Sequence, residues 1–175
     1  MRLGLARYRS FVERRTLVAA AFGAVLGVGL TAAALVVISS DSPRQEQFEA
    51  ATVSRVIDGD TVELESGERI RYLGIDTPET LGEPECGSAE ATELNERLVQ
   101  GRRVTLLKGP EESDRFGRLL RYVFVEGVFV NAELVWQGLA RPQSFHPDEQ
   151  FRQVLVQLGV GAQQAGRGSW SACDW

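Results

Sequence analysis

The chain has 175 residues, enough for one folded domain with its own core, and a formal net charge of -5 at pH 7. The first forty residues contain five arginines and one glutamate, which leaves 14 basic and 23 acidic residues from Asp41 onward. This acidic excess argues against a broadly basic nucleic-acid-binding surface, because such surfaces gain affinity by releasing counterions at basic patches.

The first forty residues predict a membrane segment. Residues 1–15 form a basic tail, and residues 16–38 contain no charged side chain. About 20 apolar residues cross a bilayer, whereas the apolar core of a signal peptide has about 7 to 15. Because arginines tend to stay in the cytoplasm, we expect a single-pass anchor with the rest of the chain outside the cytoplasmic membrane. If the segment is cleaved, the protein is secreted.

Residues 39–49 are polar and include Pro43, which predicts a linker to a folded domain at 50–175. Alternating apolar and polar residues predict strands at 48–57, 61–64, 68–75, 103–107, 119–125 and 128–130. Helical spacing predicts three helices, which begin at Ser88, Asn131 and His146, with Gly159 and Gly161 weakening the last. The sequence therefore predicts a mainly β protein with helices (α+β), organised as a small five-stranded Greek-key barrel that follows the N-terminal transmembrane helix.

Two acidic motifs bracket the predicted hairpin at 61–75: Asp58-Gly59-Asp60-Thr61 and Asp76-Thr77-Pro78-Glu79. The start of one antiparallel strand lies beside the end of the next, so we expect the carboxylates of Asp60 and Asp76 a few ångströms apart. Like charges at that distance repel, and a bound divalent cation offsets the repulsion. All-oxygen ligands favour calcium or magnesium, and Arg71 would face an anion bound there.

These motifs, together with Asp114-Arg115-Phe116-Gly117-Arg118, resemble the staphylococcal nuclease family over residues 52–169. The resemblance implies an OB-like barrel with about three packed helices. It also implies a calcium-dependent endonuclease or phosphodiesterase that hydrolyses DNA and RNA and leaves 3′-phosphate ends. The implied partners are a nucleic acid substrate and, through the N-terminal helix, the membrane; no protein partner is implied.

Asp60 and Asp76 are the predicted metal ligands, and the resemblance adds the backbone carbonyl of Thr77. Asp58 would reach the metal through a water molecule. Glu79 would orient or activate the attacking water, because a carboxylate beside a metal can accept its proton. Taken singly, the aspartates could equally be turn residues that bond their own backbone.

Arg71 and Arg118 would grip the scissile phosphate and stabilise its five-coordinate transition state, for which a planar, permanently charged guanidinium is suited. Arg115 would contact a phosphate from the same loop as Arg118. Phe116 stands where the family pattern has a tyrosine, so the contact of that hydroxyl with a substrate phosphate is lost. An isolated arginine could also be a solvent-facing strand or turn residue.

Cys86 and Cys173 allow one pairing only, and export favours a disulfide, whereas two free thiols would suit a cytosolic chain. Trp170 and Trp175 could stack on nucleic acid bases, but docking of the C-terminal tail is the favoured interpretation. Two other functions remain open. One is a membrane-anchored, non-catalytic OB-fold module that binds nucleic acid or an envelope polymer, which the acidic charge favours. The other is a phosphodiesterase for small nucleotides, which would use the same residues.

Overall fold

The computed structural model describes residues 47–143 and 146–175. The predicted basic tail, the predicted membrane segment and most of the predicted linker lie outside the described residues. Within the described ranges, no helix combines the length and the apolar character that a membrane span requires.

Eight strands occur in the described part of the chain: β1 (Phe48–Val56), β2 (Thr61–Leu64), β3 (Arg69–Tyr72), β4 (Ile75–Asp76), β5 (Arg103–Ser113), β6 (Leu119–Val125), β7 (Val128–Phe129) and β8 (Arg141–Pro142). Strands β3, β2, β1, β5 and β6 pair antiparallel in that order. A parallel pairing of β3 with β6 closes the ring. The predicted five-stranded barrel is therefore confirmed, and closure leaves these strands without a long free edge.

Alternation along the strands sends every second side chain into the barrel. Val53, Val62, Ile70, Val104 and Val123 are each at most 1% exposed and form part of one continuous apolar core. Removing this apolar surface from water is the main favourable contribution to folding.

Four helices pack around the barrel in the described ranges: α1 (Ser88–Val99), α2 (Val130–Trp136), α3 (Arg152–Gln164) and α4 (Ser169–Ala172). The predicted start of the third helix at His146 is wrong, because α3 begins only at Arg152. Nor do its glycines interrupt it: Gly159 allows close packing, since a Cβ there would lie 2.7 Å from the Pro142 ring. Asn131 does not cap α2 but is fully buried, where it accepts from the Val123 amide and donates to the Leu73 carbonyl.

Two strand boundaries differ from the prediction, and one of them shapes the site. β5 continues to Ser113, beyond the predicted end of this strand at residue 107. The strand predicted at 68–75 is divided, because Gly74 adopts a φ of +77° and separates β3 from β4. A left-handed φ is natural for glycine and costs other residues free energy. The break places Asp76 on a separate two-stranded pair, β4 with β8, opposite Arg141.

The predicted disulfide is present between Cys86 and Cys173, whose Cα atoms are 5.8 Å apart. It joins residues 87 positions apart in sequence and ties the C-terminal end of α4 to the loop that precedes α1. The tail is thus fixed beside the loop that follows the second acidic motif.

Candidate active site

The turn between β1 and β2 holds Asp58 and Asp60 in place through local hydrogen bonds. The Asp60 amide donates to Asp58 Oδ1 at 3.0 Å, and the Tyr72 amide donates to the Asp60 carbonyl at 2.8 Å. Asn95, buried on α1, donates from Nδ2 to the Asp58 carbonyl and accepts from the Tyr72 hydroxyl, both at 2.9 Å. Helix α1 and strand β3 therefore fix the turn from both sides.

Gly59 explains why the two acidic motifs approach so closely. A Cβ at this position would lie 2.8 Å from the Cβ atoms of both Ala91 and Thr77. The Thr77 amide then donates to Asp60 Oδ2 at 3.0 Å. A side chain at Gly59 would push the second motif away from the first.

Arg71 lies between the two predicted metal ligands. Its Nη1 is 2.9 Å from Asp60 Oδ2, and its Nη2 is 2.7 Å from Asp76 Oδ1. Nη1 also donates to the carbonyls of Tyr72 and Ile75, so the backbone holds the guanidinium as well. The structure thus brings Asp60, Asp76 and Arg71 together, as the hairpin geometry predicts.

The donor set around Arg71 suits a hard cation. Asp58, Asp60, Asp76 and the Thr77 carbonyl supply oxygen only, which calcium and magnesium prefer over soft ligands. In 47–143 and 146–175, no three His, Cys, Asp or Glu side chains already converge on one point. The guanidinium stands between the carboxylates instead, so a cation would share them with Arg71.

Asp60 is 5% exposed, and this burial raises the pKa of its carboxyl group to about 7. The Arg71 guanidinium and the Thr77 amide act in the opposite direction, whereas the charges of Asp58 and Asp76 add to the rise. Partial burial, followed by the charges of Asp58 and Asp76, likewise raises the pKa of Glu79. Negative charge is therefore concentrated here beyond what one arginine neutralises.

Glu79 lies on the exposed side of this cluster, at the start of the loop that leads to Cys86. Its amide donates to Glu85 Oε2 at 3.1 Å. An accessible carboxylate beside a group of metal-type ligands can reach a water molecule.

Arg118 lies immediately before β6, the strand that pairs in parallel with β3. Leu120 of β6 lies opposite Arg71 of β3, and Arg118 precedes Leu120 by two positions. Closure of the barrel therefore brings the turn that ends at Arg118 beside the strand that carries Arg71.

Asp114 holds Arg118, and sequence analysis did not identify this role. Its Oδ2 accepts a hydrogen bond from Arg118 Nε and forms an ion pair with Arg118 Nη2, both at 2.8 Å, and its Oδ1 accepts from the amides of Phe116 and Arg118. Although partial burial acts against them, these bonds keep the pKa of Asp114 below its ordinary value. An aspartate placed four residues before the arginine was the available sequence signal.

Arg115 and Phe116 sit at the exposed tip of this turn. The Phe116 side chain is 69% exposed, and the Arg115 guanidinium lies 4.7 Å from its ring centroid. Arg115 has no carboxylate partner among the described residues, which fits its predicted phosphate contact.

Comparison with known proteins gives matches over most of the chain. Residues 69–172 match the family model described as Staphylococcal nuclease homologue. Thermonuclease from Staphylococcus intermedius is 33% identical over 162 residues, which cover 82% of this chain and 95% of that protein. Thermonuclease from Staphylococcus hyicus is 32% identical over 126 residues, which cover 68% of this chain and 74% of that protein. Endonuclease YncB from Bacillus subtilis is 38% identical over 108 residues, 57% of this chain and 51% of its own length.

These matches confirm the predicted class: the protein is a nuclease, which is a hydrolase. The chain belongs to the staphylococcal nuclease family.

Replacing Asp60 should change how the stability of the metal-free protein depends on pH. The folded-state pKa of about 7 lies above the ordinary aspartate value of 3.8, so the folded protein binds this proton more tightly than the unfolded chain. The free energy of unfolding should therefore fall as pH rises from 4 to 7, by up to about 1.4 kcal/mol per pH unit from this group. Asp60→Asn should remove most of that slope in urea unfolding with chelator present. The control Glu65→Gln removes an exposed turn carboxylate and should keep the slope; an unchanged slope in Asp60→Asn would contradict the assignment.

Proposed function

We propose that this protein is a calcium-dependent endonuclease and phosphodiesterase that hydrolyses DNA and RNA and leaves 3′-phosphate ends. The observation that carries the proposal is the contact of Asp60 and Asp76 with the same guanidinium, that of Arg71. Arg118 immediately precedes β6, the strand that pairs with the strand of Arg71. The names of the relatives, thermonuclease and endonuclease, support the nucleic acid substrate.

Asp60, Asp76 and the Thr77 carbonyl would hold the calcium ion, with Asp58 acting through a water molecule. When bound, calcium supplies positive charge that polarises the phosphate and lowers the pKa of a nearby water. Because the carbonyls of Tyr72 and Ile75 also hold Arg71, its position does not depend on the carboxylates alone.

The chain's own residues would carry out the remaining chemistry. Glu79 orients the attacking water and accepts a proton from it, and the water oxygen forms a bond to phosphorus. Arg71 and Arg118 neutralise the additional negative charge on the five-coordinate phosphorus, where guanidinium groups bind best. The bond to the 5′ oxygen breaks, that oxygen takes up a proton from the solvent, and the phosphate remains on the 3′ oxygen. Glu79 then releases its proton to the solvent.

Calcium should switch cleavage on. The purified protein should cut single-stranded DNA in millimolar calcium and stop when chelator is added, because two carboxylates and one carbonyl form a weak site. The fragments should become substrates for a 3′ exonuclease only after phosphatase treatment. Equal fragment patterns with calcium and with chelator would show that cleavage does not require calcium. Tight DNA binding in chelator without cleavage in calcium would favour the non-catalytic binding module.

Changing Arg118 to lysine keeps the positive charge but removes the planar guanidinium group, which can donate two parallel hydrogen bonds to a phosphate. Arg118→Lys should lower kcat by about 100-fold or more and change KM little, which is the usual cost of losing one transition-state donor. Asp114→Asn should give a smaller loss in kcat, because Arg118 remains but is held less firmly. Steady-state kinetics on a short oligonucleotide would measure both, with Arg103→Lys as the control outside the site. If Arg118→Lys retained the wild-type kcat, Arg118 would have no place in the mechanism.

We also propose that the domain acts on the outer side of the cytoplasmic membrane. The uncharged segment 16–38 and the Cys86–Cys173 disulfide support this location, since disulfides persist outside the cytosol. Protease added to intact bacterial spheroplasts should degrade residues 50–175 while a cytoplasmic marker survives. Protection of the domain until the cells are lysed would place it in the cytoplasm instead.

A further inference from the structure

We propose that Arg141, Trp170 and Trp175 form a subsite for the nucleotide next to the scissile phosphodiester. Arg141 contacts a flanking phosphate, Trp175 stacks on a base, and Trp170 supports the Trp175 ring. This subsite rests on the proposed function, which supplies the single-stranded nucleic acid substrate.

The first observation is the position of Arg141. It lies on β8 directly opposite Asp76 of β4. Side chains of paired residues in an antiparallel ladder project to the same face, with their Cβ atoms about 5 Å apart. Arg141 therefore emerges on the face that carries Asp76, which itself contacts Arg71.

The second observation concerns charge. Seven arginines of the described residues are engaged by carboxylates: Arg55, Arg69, Arg71, Arg97, Arg102, Arg118 and Arg121. Arg141 is exposed and has no carboxylate partner within 47–143 and 146–175. In a domain with excess acidic residues, an unpaired guanidinium beside the candidate metal ligands is available to a phosphate.

The third observation is the aromatic pair beside Arg141. Its guanidinium carbon lies 4.6 Å from the Trp175 ring centroid and 5.9 Å from that of Trp170. The two indole rings meet edge to face with their centroids 5.2 Å apart, and both remain partly exposed. An indole ring held in this way offers a surface on which any base can stack, because every base has a π face.

The tail that carries these rings is fixed beside the second acidic motif. The disulfide joins Cys173 to Cys86, and the Ser169 amide donates to the Gly138 carbonyl at 3.0 Å. A Cβ at Gly87 would overlap the Ser169 hydroxyl and come within 3.7 Å of Pro78. The start of α4 thus packs near Pro78, the residue before Glu79, so the rings are held in place before substrate binds.

Stacking would also explain how a domain with an excess of acidic residues can bind nucleic acid. Affinity for nucleic acid is low when a protein has few free basic side chains to displace the counterions bound to the phosphates. Base stacking, in contrast, does not depend on net charge. A combined cation and indole subsite would give an acidic nuclease affinity for single strands.

Binding of a fluorescently labelled eight-nucleotide single-stranded DNA tests the subsite without requiring cleavage. The full chain is used in calcium, with Glu79→Gln in every protein to prevent cleavage. Arg141→Ala and Trp175→Ala should each raise Kd by about tenfold. Arg141→Ala should also reduce the slope of log Kd against log salt by about 0.7, the value for one phosphate contact on a single strand.

Two controls separate binding from a purely structural role. Arg103→Ala removes an exposed arginine that lies across from Thr52, and it should leave Kd and the salt slope unchanged. Trp175→Phe keeps an aromatic ring and should restore most of the affinity lost in Trp175→Ala. With Glu79 intact, Arg141→Ala should raise KM about tenfold and change kcat less than about twofold.

Equal Kd values and salt slopes for Arg141→Ala and Arg103→Ala would overturn the subsite, as would Trp175→Phe binding as weakly as Trp175→Ala. If the protein with Glu79 intact cuts no DNA in calcium, the proposed function fails. The binding measurements still decide the subsite in that case, because none of them depends on turnover.

Discussion

The contact of Arg71 with Asp60 and Asp76 is the interaction on which the candidate site depends. It joins three parts of the fold: the turn before β2, strand β3 and strand β4. Asp60 is buried and close to other carboxylates, so without a nearby cation its charged form is disfavoured. Arg71 supplies part of that compensation, and the remaining negative charge would attract a divalent cation.

The rest of the structure keeps these groups close. Asn95 connects helix α1 to the Asp58 turn, and Gly59 leaves room for Thr77 to reach Asp60. Asp114 restrains Arg118 in a similar way, through two hydrogen bonds and an ion pair, and it also accepts from the Phe116 amide in the same turn. Both candidate catalytic arginines are therefore held by carboxylates before a phosphate arrives. Such preorganisation reduces the reorganisation required at the moment of reaction.

The acidic net charge of the chain has a consistent explanation within this arrangement. Many arginines are already paired with carboxylates and contribute little to attraction over a distance. If the proposed function holds, affinity would depend on a few local groups, namely the proposed cation, Arg115 and the surface around Arg141. Such a protein could have an acidic surface and still bind a nucleic acid strand, because the binding comes from contacts at short range.

The sequence by itself determined the five barrel strands, the family and the approach of Asp60 to Asp76. Local alternation predicts the strands, and the motifs at 58–61, 76–79 and 114–118 carry the family resemblance. Hairpin geometry brings the two acidic motifs to one end of the strand pair, and the break at Gly74 then sets the position of Asp76. Only the tertiary structure decided the closure of β3 on β6, the late start of α3 at Arg152, the hold of Asp114 on Arg118 and the placement of Arg141 opposite Asp76. Those features depend on the packing of distant segments and on the exact direction of single side chains. No periodicity along the chain encodes them, since they arise when the whole core closes.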